Sequence, residues 1–389
     1  MNLVEWRTLS SGPRTTNGKI AVPCRSTGGT ASRRTGTNLV VMRVMATAKK
    51  VVITGGGGFI GSHTAIELHA AGYLPVVVDN FGASDRRIIG RAQELAGGRF
   101  SVYEVDCRDR AGLARVFATE GECFGVIHFA AHKSVGASGP EALSYYDNNL
   151  GSLTTLLGVM ADAGLEKLVF SSSATVYGEA EELPVTEASP TQPAESVYGR
   201  TKQLCELIIS DTAASRTPLS AVTLRYFNPV GAHPSGRIGE LPIGTPANLV
   251  PFITQTAIGL RKELTVFGND YDTPDGTCTR DYIHVVDLAK AHVSALNWLG
   301  RQARTGFNEV FNVGTGKATS VLEAIGAFEA ASGTKLQYRI GPRRPGDVVE
   351  SYANVDKARS ELGWSSELGI LDAMRDAWRW QVALKDNPL

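Results

Sequence analysis

The segment from Val51 to Asp79 constrains the fold of this 389-residue chain more than any other part. The β-branched run Val51–Thr54 predicts a short buried strand, and "GSHTAIELHAAG" then carries apolar side chains at helical spacing until Gly72. A second apolar run, Pro75–Asp79, predicts the next strand. Between the first strand and the helix stand glycines at a spacing of three residues: Gly55, Gly58 and Gly61.

This glycine spacing indicates a site for a dinucleotide. Glycine lets the backbone turn tightly and approach a pyrophosphate, while the following helix offers free N–H groups and the positive end of its dipole. Asp79, eighteen residues past Gly61, can accept hydrogen bonds from both ribose hydroxyls of NAD and would repel the extra phosphate of NADP. For the glycines alone, a glycine-rich turn without a ligand is the alternative. The ordered series of strand, glycines, helix, strand and acid favours bound NAD.

Further apolar runs extend the same pattern. Val126–Ala130, Leu168–Ser172 and Ala221–Tyr226 predict buried strands, with helical stretches between most of them. Such alternation predicts an α/β chain with a Rossmann-type, doubly wound parallel sheet that is covered on both faces. The Gly- and Pro-rich stretch after Tyr226 predicts a long functional loop. We therefore expect an NAD-binding domain over residues 47–226 and a smaller α/β substrate domain over 227–389, with some of its segments returning to the sheet.

Composition excludes several classes of protein. Lys plus Arg and Asp plus Glu number 39 each, so no basic field favours nucleic-acid binding. Five scattered cysteines, none in a C-x-x-C pair, predict neither a disulfide framework nor a metal site and fit a reducing, cytoplasmic compartment. No apolar run approaches the roughly 20 residues of a membrane span.

The first 46 residues differ from the rest. They are rich in Ser, Thr, Gly and Arg, and Glu5 is their only acid. This composition is typical of an organellar transit peptide. A disordered leader before a shorter chain that starts at Met45 is the alternative. In either case, the stretch is left out of the fold prediction.

Tyr198 and Lys202 form a candidate catalytic pair. They stand four residues apart in "SVYGRTKQLCELI", so that a helix places both on one face. A nearby ammonium favours tyrosinate and is expected to lower the pKa of Tyr198, which makes the phenol a candidate general base for a sugar hydroxyl. The serines of "SSSATVYG", which begins at Ser171, follow a predicted strand and could supply a bridging hydroxyl or merely cap a turn.

With these motifs the chain resembles the UDP-galactose 4-epimerase family of extended short-chain dehydrogenases/reductases. The resemblance extends from Lys49 to the C-terminal helix and rests on "TGGGGFIGSHT", "IHFAAHKSVG", "YYDNNL", "SSSATVYG", "YGRTK", "LRYFNPVGAHPSG", "FGNDYDTPDGT", "RDYIHVVDLA" and "RRPGD". It implies a homodimer and NAD held through the catalytic cycle. The implied activity, part of galactose metabolism, is the reversible interconversion of UDP-galactose and UDP-glucose through a transient 4-keto sugar.

The resemblance also implies roles for individual residues. Tyr198 would be the base, Lys202 its partner and a ribose ligand, and Ser173 the bridging hydroxyl. The implied NAD contacts, besides Tyr198 and Lys202, are Gly55, Gly58, Phe59, Ile60, Gly61, Asp79, Asn80, Asp106, Cys107 and Lys133. The implied UDP-sugar contacts are Lys133, Ser173, Asn228, Asn248, Arg280, Arg344, Asp347 and Ser351.

Ser351 bears on the range of substrates. Family members with a bulky Tyr at the position four past the Asp of "RRPGD" are largely restricted to UDP-glucose and UDP-galactose, whereas a small residue also admits N-acetyl sugars. Here that position is Ser351, so activity on UDP-GalNAc and UDP-GlcNAc is expected. The alternative is that the neighbouring Tyr352 closes the pocket.

Two other functions compete with epimerisation. Nucleotide-sugar 4,6-dehydratases resemble this chain but usually carry an Asp-Glu pair after the bridging hydroxyl, where Ala174 and Thr175 stand here. A non-catalytic NAD-binding protein would have no use for Tyr198 and Lys202 together.

Overall fold

Seven parallel strands form the central sheet of the protein, whose computed structural model describes residues 48–215, 218–344 and 346–389. In chain order these strands are β1 (Lys50–Thr54), β2 (Leu74–Asp79), β3 (Ser101–Glu104), β4 (Gly125–His128), β5 (Lys167–Ser171), β6 (Ser220–Tyr226) and, after four short strands elsewhere, β11 (Phe307–Val313). Their order across the sheet is β3-β2-β1-β4-β5-β6-β11. The order reverses between β1 and β4, and ligands of such sheets bind outside the carboxyl ends of the strands at this point.

Helices cover both faces of this sheet, which is the predicted doubly wound arrangement. Along β1, Val51 and Ile53 pack into one core cluster and Val52 into the other, because alternate side chains of a strand point to opposite faces. The helices of this part are α1 (Phe59–Ala70), α2 (Arg86–Ala96), α3 (Arg110–Glu120), α4 (Val135–Ser138), α5 (Ala142–Asp162) and α6 (Val197–Ala214).

The C-terminal part is built from short strands and four longer helices. β7 (Asn228–Val230) pairs in parallel with β10 (Tyr282–His284), β8 (Leu264–Phe267) pairs with β13 (Tyr338–Gly341), and β9 (Thr279–Arg280) lies between β12 (Thr319–Ser320) and β14 (Glu350–Ser351). The helices are α7 (Leu249–Ala257), α8 (Val285–Arg301), α9 (Val321–Ser332) and α10 (Ile370–Asp386).

All five strands predicted from apolar runs are present, with ends that differ by one or two residues. The sequence did not reveal β3, a four-residue edge strand whose side chains are mostly half-buried, nor β11, whose "FNEVFNV" mixes polar and apolar residues. β11 comes from beyond residue 226 and pairs with β6. The domain boundary placed there stays a prediction, and the leader predicted over residues 1–46 lies outside the described residues.

Candidate active site

The glycine loop after β1 leaves no room for side chains. Gly55 has a φ of +69°, and a Cβ added to it would lie 2.6 Å from the backbone nitrogen of Ala130. A Cβ on Gly61 would lie 2.4 Å from the carbonyl oxygen of Gly55. Both positions therefore require glycine. Helix α1 begins at Phe59 directly after Gly58, which has no side chain to cap it, so the N–H groups of its first turn, including that of Ile60, are available to an anion.

The acid at the end of β2 is fixed by this same loop. One carboxylate oxygen of Asp79 accepts a hydrogen bond from the backbone nitrogen of Gly57 at 2.8 Å. The other accepts from the backbone nitrogen of Phe81 at 2.8 Å and from Ser84 Oγ at 3.1 Å. The side chain is buried at the carboxyl edge of the sheet, where the sequence placed a ribose ligand.

Three of the residues expected to contact NAD lie together after β2 and β3. Asn80 Nδ2 donates to Asp106 Oδ2 at 3.1 Å, and Arg108 holds the same carboxylate at 2.9 Å. The hydrogen bonds from Arg108 lower the pKa of Asp106 well below its usual range. Burial raises the pKa of the Cys107 thiol to about 12, so this side chain remains a neutral thiol at physiological pH.

Tyr198 and Lys202 lie on one face of α6, as predicted. Ser196 caps the helix by accepting a hydrogen bond from the backbone nitrogen of Gly199, and the first turn then brings Tyr198 under the end of β5. Lys202 Nζ lies 5.9 Å from the centre of the Tyr198 ring and donates to the carbonyl oxygen of Ser171 at 2.7 Å. The hydroxyl of Ser173 is close enough to act on Tyr198, whose pKa it works to lower, so the three predicted catalytic residues lie together.

The prediction that neighbouring groups of the protein lower the pKa of Tyr198 is wrong. Burial raises the pKa of Tyr198 above its usual value, and this effect outweighs the hydrogen bond from Ser173. Burial also lowers the pKa of Lys202 to about 8, which weakens the ammonium on which the prediction relied. The sequence shows that the two residues share a helical face, but it does not show that both are buried there.

Both arginines expected to contact the UDP-sugar meet a single acid. Arg344 lies 2.6 Å from a carboxylate oxygen of Asp347, and Arg280 lies 3.5 Å from that same oxygen. Ser351 in β14 stands opposite Arg280 in β9, because the two short strands pair in parallel. The structure thus brings together four of the predicted UDP-sugar residues.

Glu240 links two further predicted residues and was not found from the sequence. Its carboxylate oxygen Oε1 accepts from Lys133 Nζ at 2.9 Å and from Asn248 Nδ2 at 2.7 Å. Lys133 and Glu240 are separated by 107 residues, and the sequence carries no local signal for such a contact. Asn228 is exposed in β7 and donates its backbone N–H to the carbonyl oxygen of Asp281 at 2.9 Å.

Asp281 is a second acid that the sequence analysis missed. It is fully buried next to Arg280 and accepts backbone hydrogen bonds from Thr315 at 2.8 Å and Gly316 at 3.0 Å. Its own backbone nitrogen donates to the carbonyl oxygen of Ser351 at 3.0 Å. Burial raises its pKa, so the backbone donors are needed to stabilise the carboxylate. An acid inside the apolar run "DYIHVV" is the signal that could have indicated this role.

Several side chains have structural roles. His63, His128, His284 and His292 are buried. Cys107, Cys123, Cys205 and Cys278 are free thiols, and Cys24 lies outside the described residues. Within the described ranges, we find neither a group of three or more His, Cys, Asp or Glu suited to a metal ion nor a helix long and apolar enough to cross a bilayer.

Known proteins are similar to this chain over most of its length. Residues 52–377 match the protein family described as GDP-mannose 4,6 dehydratase. The chain is 50% identical to UDP-glucose 4-epimerase 2 of Arabidopsis thaliana over 336 residues, which cover 86% of this chain and 95% of that protein. It is 49% identical to the UDP-glucose 4-epimerase of Homo sapiens over 347 residues, with coverage of 88% and 98%.

A solved structure has the same fold. The UDP-glucose 4-epimerase from Bifidobacterium longum, crystallised in complex with NAD+ and UDP, superposes with a TM-score of 0.82 at 47% identity and covers 87% of this chain and 99% of that one. The glycine loop, the acid at the end of β2, and the Tyr198–Lys202 pair agree with this relationship. The chain therefore belongs to the UDP-glucose 4-epimerase family of extended short-chain dehydrogenases/reductases.

Proposed function

We propose that the chain catalyses the reversible epimerisation of UDP-galactose and UDP-glucose at carbon 4 of the sugar. The observation that carries this proposal is that Tyr198, Lys202 and Ser173 lie together at the carboxyl edge of a sheet with a dinucleotide loop. Relatives at 49–50% identity over most of the chain are UDP-glucose 4-epimerases.

The residues of the glycine loop fit NAD. Side chains at Gly55 and Gly61 would fill the space in which the backbone turns, the first turn of α1 presents free N–H groups, and Asp79 is oriented by Gly57. When bound, NAD accepts a hydride from carbon 4 and returns it to the opposite face of the sugar. Asn80, Asp106 and Cys107 would contact its adenosine half, and Lys202 and Lys133 its other half.

In this mechanism, Tyr198 takes the proton of the sugar's 4-hydroxyl at its Oη and later gives it back. Ser173, which lies near Tyr198, would share that proton and hold the sugar oxygen near the phenol. Lys202 stabilises the tyrosinate through its positive charge. Burial of Tyr198 and Lys202 keeps water away from the reacting carbon.

The UDP part would be held by the C-terminal segment. Arg280 and Arg344, which meet at Asp347, can turn to the diphosphate oxygens as charge-assisted donors, and Asp347 can accept from the uridine ribose. Asn228 and Asn248 would complete the site. On this basis residues 47–226 bind NAD, and residues 227–389 mainly bind the UDP-sugar. Binding through UDP leaves the sugar itself free to turn over between the two half-reactions.

A homodimer is part of this proposal. Leu143 on α5 is 85% exposed and Leu207 on α6 is 56% exposed, and these two helices pack side by side. Exposed leucines on adjacent helices fit a second copy of the chain better than they fit water. We further propose a cytoplasmic location, with an organelle as the alternative if the leader directs import.

The 4,6-dehydratase alternative is not favoured, although the family that matches residues 52–377 is described as GDP-mannose 4,6 dehydratase. Ala174 and Thr175 form the 3₁₀ turn after Ser173, where an elimination would need a carboxylate to carry a proton. A non-catalytic NAD-binding protein is not favoured either, because the buried pair of Tyr198 and Lys202 would serve no purpose in it.

One incubation tests all three functions. The purified full chain is incubated with UDP-galactose and no added cofactor, and the products are separated by chromatography and mass spectrometry. Formation of UDP-glucose supports the proposal. A keto-deoxy sugar would indicate dehydration, and unchanged substrate from a folded, NAD-loaded preparation would contradict catalysis.

A further inference from the structure

Ser171 ends β5, Ser172 and Ser173 follow it, and each of the three serines has a neighbour on α6. The carbonyl oxygen of Ser171 accepts from Lys202 Nζ at 2.7 Å, and its hydroxyl donates to Tyr226 Oη at 2.9 Å. The hydroxyl of Ser172 donates to a carboxylate oxygen of Glu206. The next residue, Ser173, bears the hydroxyl that is expected to bridge the phenol and the sugar, so a shift of Ser172 would displace the groups on both sides of it.

Glu206 belongs to the same helical face as the catalytic pair. It stands four residues after Lys202 and eight after Tyr198 on α6, which is about two turns of helix. Its carboxylate forms a two-pronged ion pair with Arg225 on β6, with Nε–Oε1 at 3.1 Å and Nη2–Oε2 at 2.6 Å. Both residues are 8% exposed.

A buried ion pair needs an explanation other than stability. Removing two charges from water is costly, and apolar side chains of similar volume often stabilise a fold equally well. Arg225 lies 4.8 Å from the centre of the Tyr177 ring, so the pair is well held in place. Among the hydrogen bonds of the described residues, the ion pair contacts the serines after β5 only through the Glu206 carboxylate.

We propose that Glu206, paired with Arg225, is a positioning residue for the proposed catalytic group. Through Ser172 it fixes the Ser171 carbonyl that accepts from Lys202 and the position of Ser173 beside Tyr198. Its negative charge also stabilises the ammonium form of Lys202. This inference rests on the proposed function, because its effects are measured on epimerisation.

The electrostatic surroundings of Lys202 agree with this role. Burial lowers the pKa of Lys202 to about 8, and the neighbouring Cys205 and Glu206 act in the opposite direction. The titratable and charged groups around Lys202 are Tyr198, Cys205 and Glu206 on its own helix, His128 on β4 and, one contact further away, Tyr226 and Arg225 on β6.

The first test is Glu206→Gln in the NAD-loaded full-length enzyme. We expect kcat to fall about 10–100-fold, as for a small displacement of reacting groups, while KM for UDP-galactose stays within about threefold. Lys202 is charged only below its pKa, so the rate should decrease as pH rises through that value. Loss of the carboxylate lowers this pKa further, and the decrease should move to lower pH by about one unit.

Two further variants separate positioning from folding. Ser172→Ala removes one hydrogen bond and keeps the ion pair, so we expect a lower kcat with an unshifted pH profile and a melting temperature close to that of the wild type. The double variant Glu206→Gln/Arg225→Met removes both charges, and its pH profile should return toward that of the wild type.

Glu120→Gln is the matched control, because Glu120 is another well-buried carboxylate in an ion pair. It lies 2.9 Å from Lys50, which is the first residue of β1, whereas Ser171 is the last residue of β5 in the same parallel sheet. Its kcat and pH profile should not change. The inference is overturned if Ser172→Ala and Glu206→Gln both retain wild-type kcat and pH profile, or if Glu206→Gln merely lowers the melting temperature as Glu120→Gln does. A wild-type enzyme that fails to epimerise UDP-galactose would instead contradict the proposed function.

Discussion

Asp79 accepts a hydrogen bond from the backbone nitrogen of Gly57 at 2.8 Å, so the glycine loop and the acid at the end of β2 are one rigid unit. A Cβ on Gly57 would come within 3.0 Å of this carboxylate oxygen, which excludes side chains from the contact. The acid therefore cannot swing away from a 2′-phosphate without breaking the hydrogen bonds that orient it. Its position predicts a strong preference for NAD over NADP.

We expect purified protein to carry NAD(H) and the apoprotein to regain activity with NAD but not with NADP. Arg86 and Arg87 could have neutralised the extra phosphate, but Arg86 pairs with Glu104 at 2.8 Å and Arg87 with Asp85 at 2.5 Å. Nucleotide released by acid precipitation identifies the bound cofactor. Equal reconstitution by NADP would show that Asp79 does not select the cofactor.

Tyr198→Phe is expected to lower kcat by at least about 10²-fold, because it removes the positioned acid–base group and keeps the ring. UDP binding should be preserved, since Arg280, Arg344 and Asp347, which are expected to bind the UDP part, lie outside α6. Steady-state kinetics together with calorimetric titration of UDP measure both quantities. Near-normal turnover by this variant would reassign the base.

Buried histidines predict a loss of stability in mild acid. Burial lowers the pKa of His63 and His128 to about 3 and that of His292 to about 4, from an ordinary value of 6.5. The folded protein keeps them neutral, while the unfolded chain takes up protons below pH 6.5, so stability decreases as pH falls from there toward about 4. Each histidine contributes about 1.4 kcal/mol per pH unit within this window.

Chemical denaturation at several pH values measures this effect. His128→Gln should flatten the pH dependence by about one proton, and its control is His132→Gln, an exposed histidine after the same strand. A free energy of unfolding that stays constant as the pH is lowered from neutral toward 5 would contradict the prediction.

The sequence was most informative where function depends on local spacing. The glycine loop, Asp79 and the face shared by Tyr198 and Lys202 all follow from residues close in the chain, and the structure places them as predicted. The pairs Glu206–Arg225 and Lys133–Glu240 could not be found in this way, because 19 and 107 residues separate their members.

Burial explains the one electrostatic error. The sequence indicated that Lys202 stands beside Tyr198, and in water the ammonium would lower the pKa of the phenol. In the fold, both groups are buried under β5, and removal from water acts on each more strongly than either acts on the other. Such an effect depends on packing from distant parts of the chain.

The range of substrates is expected to depend on Ser351. This residue is half-buried in β14 and stands opposite Arg280 in β9, so its backbone is fixed by the strand pair and by the hydrogen bond from the Asp281 nitrogen to its carbonyl oxygen at 3.0 Å. A fixed backbone leaves side-chain volume as the main variable at this position. We propose that the small serine leaves space for an acetamido group at carbon 2, and that the enzyme also interconverts UDP-GlcNAc and UDP-GalNAc.

Ser351→Tyr should therefore abolish turnover of the N-acetyl sugars and leave kcat/KM for UDP-galactose within about threefold, because a phenol ring occupies space that a close-packed pocket does not easily recover. Ser351→Ala is the matched control and should retain both activities, since it removes the hydroxyl without adding volume. Tyr352 could close the pocket instead, and its backbone carbonyl is already held by the nitrogen of Val185 at 3.0 Å. Assays in which UDP-galactose competes with UDP-GalNAc, and UDP-glucose with UDP-GlcNAc, show whether the pocket admits the N-acetyl sugars. A wild-type enzyme that epimerises UDP-galactose well but does not convert the N-acetyl sugars would show that serine at this position does not open the site.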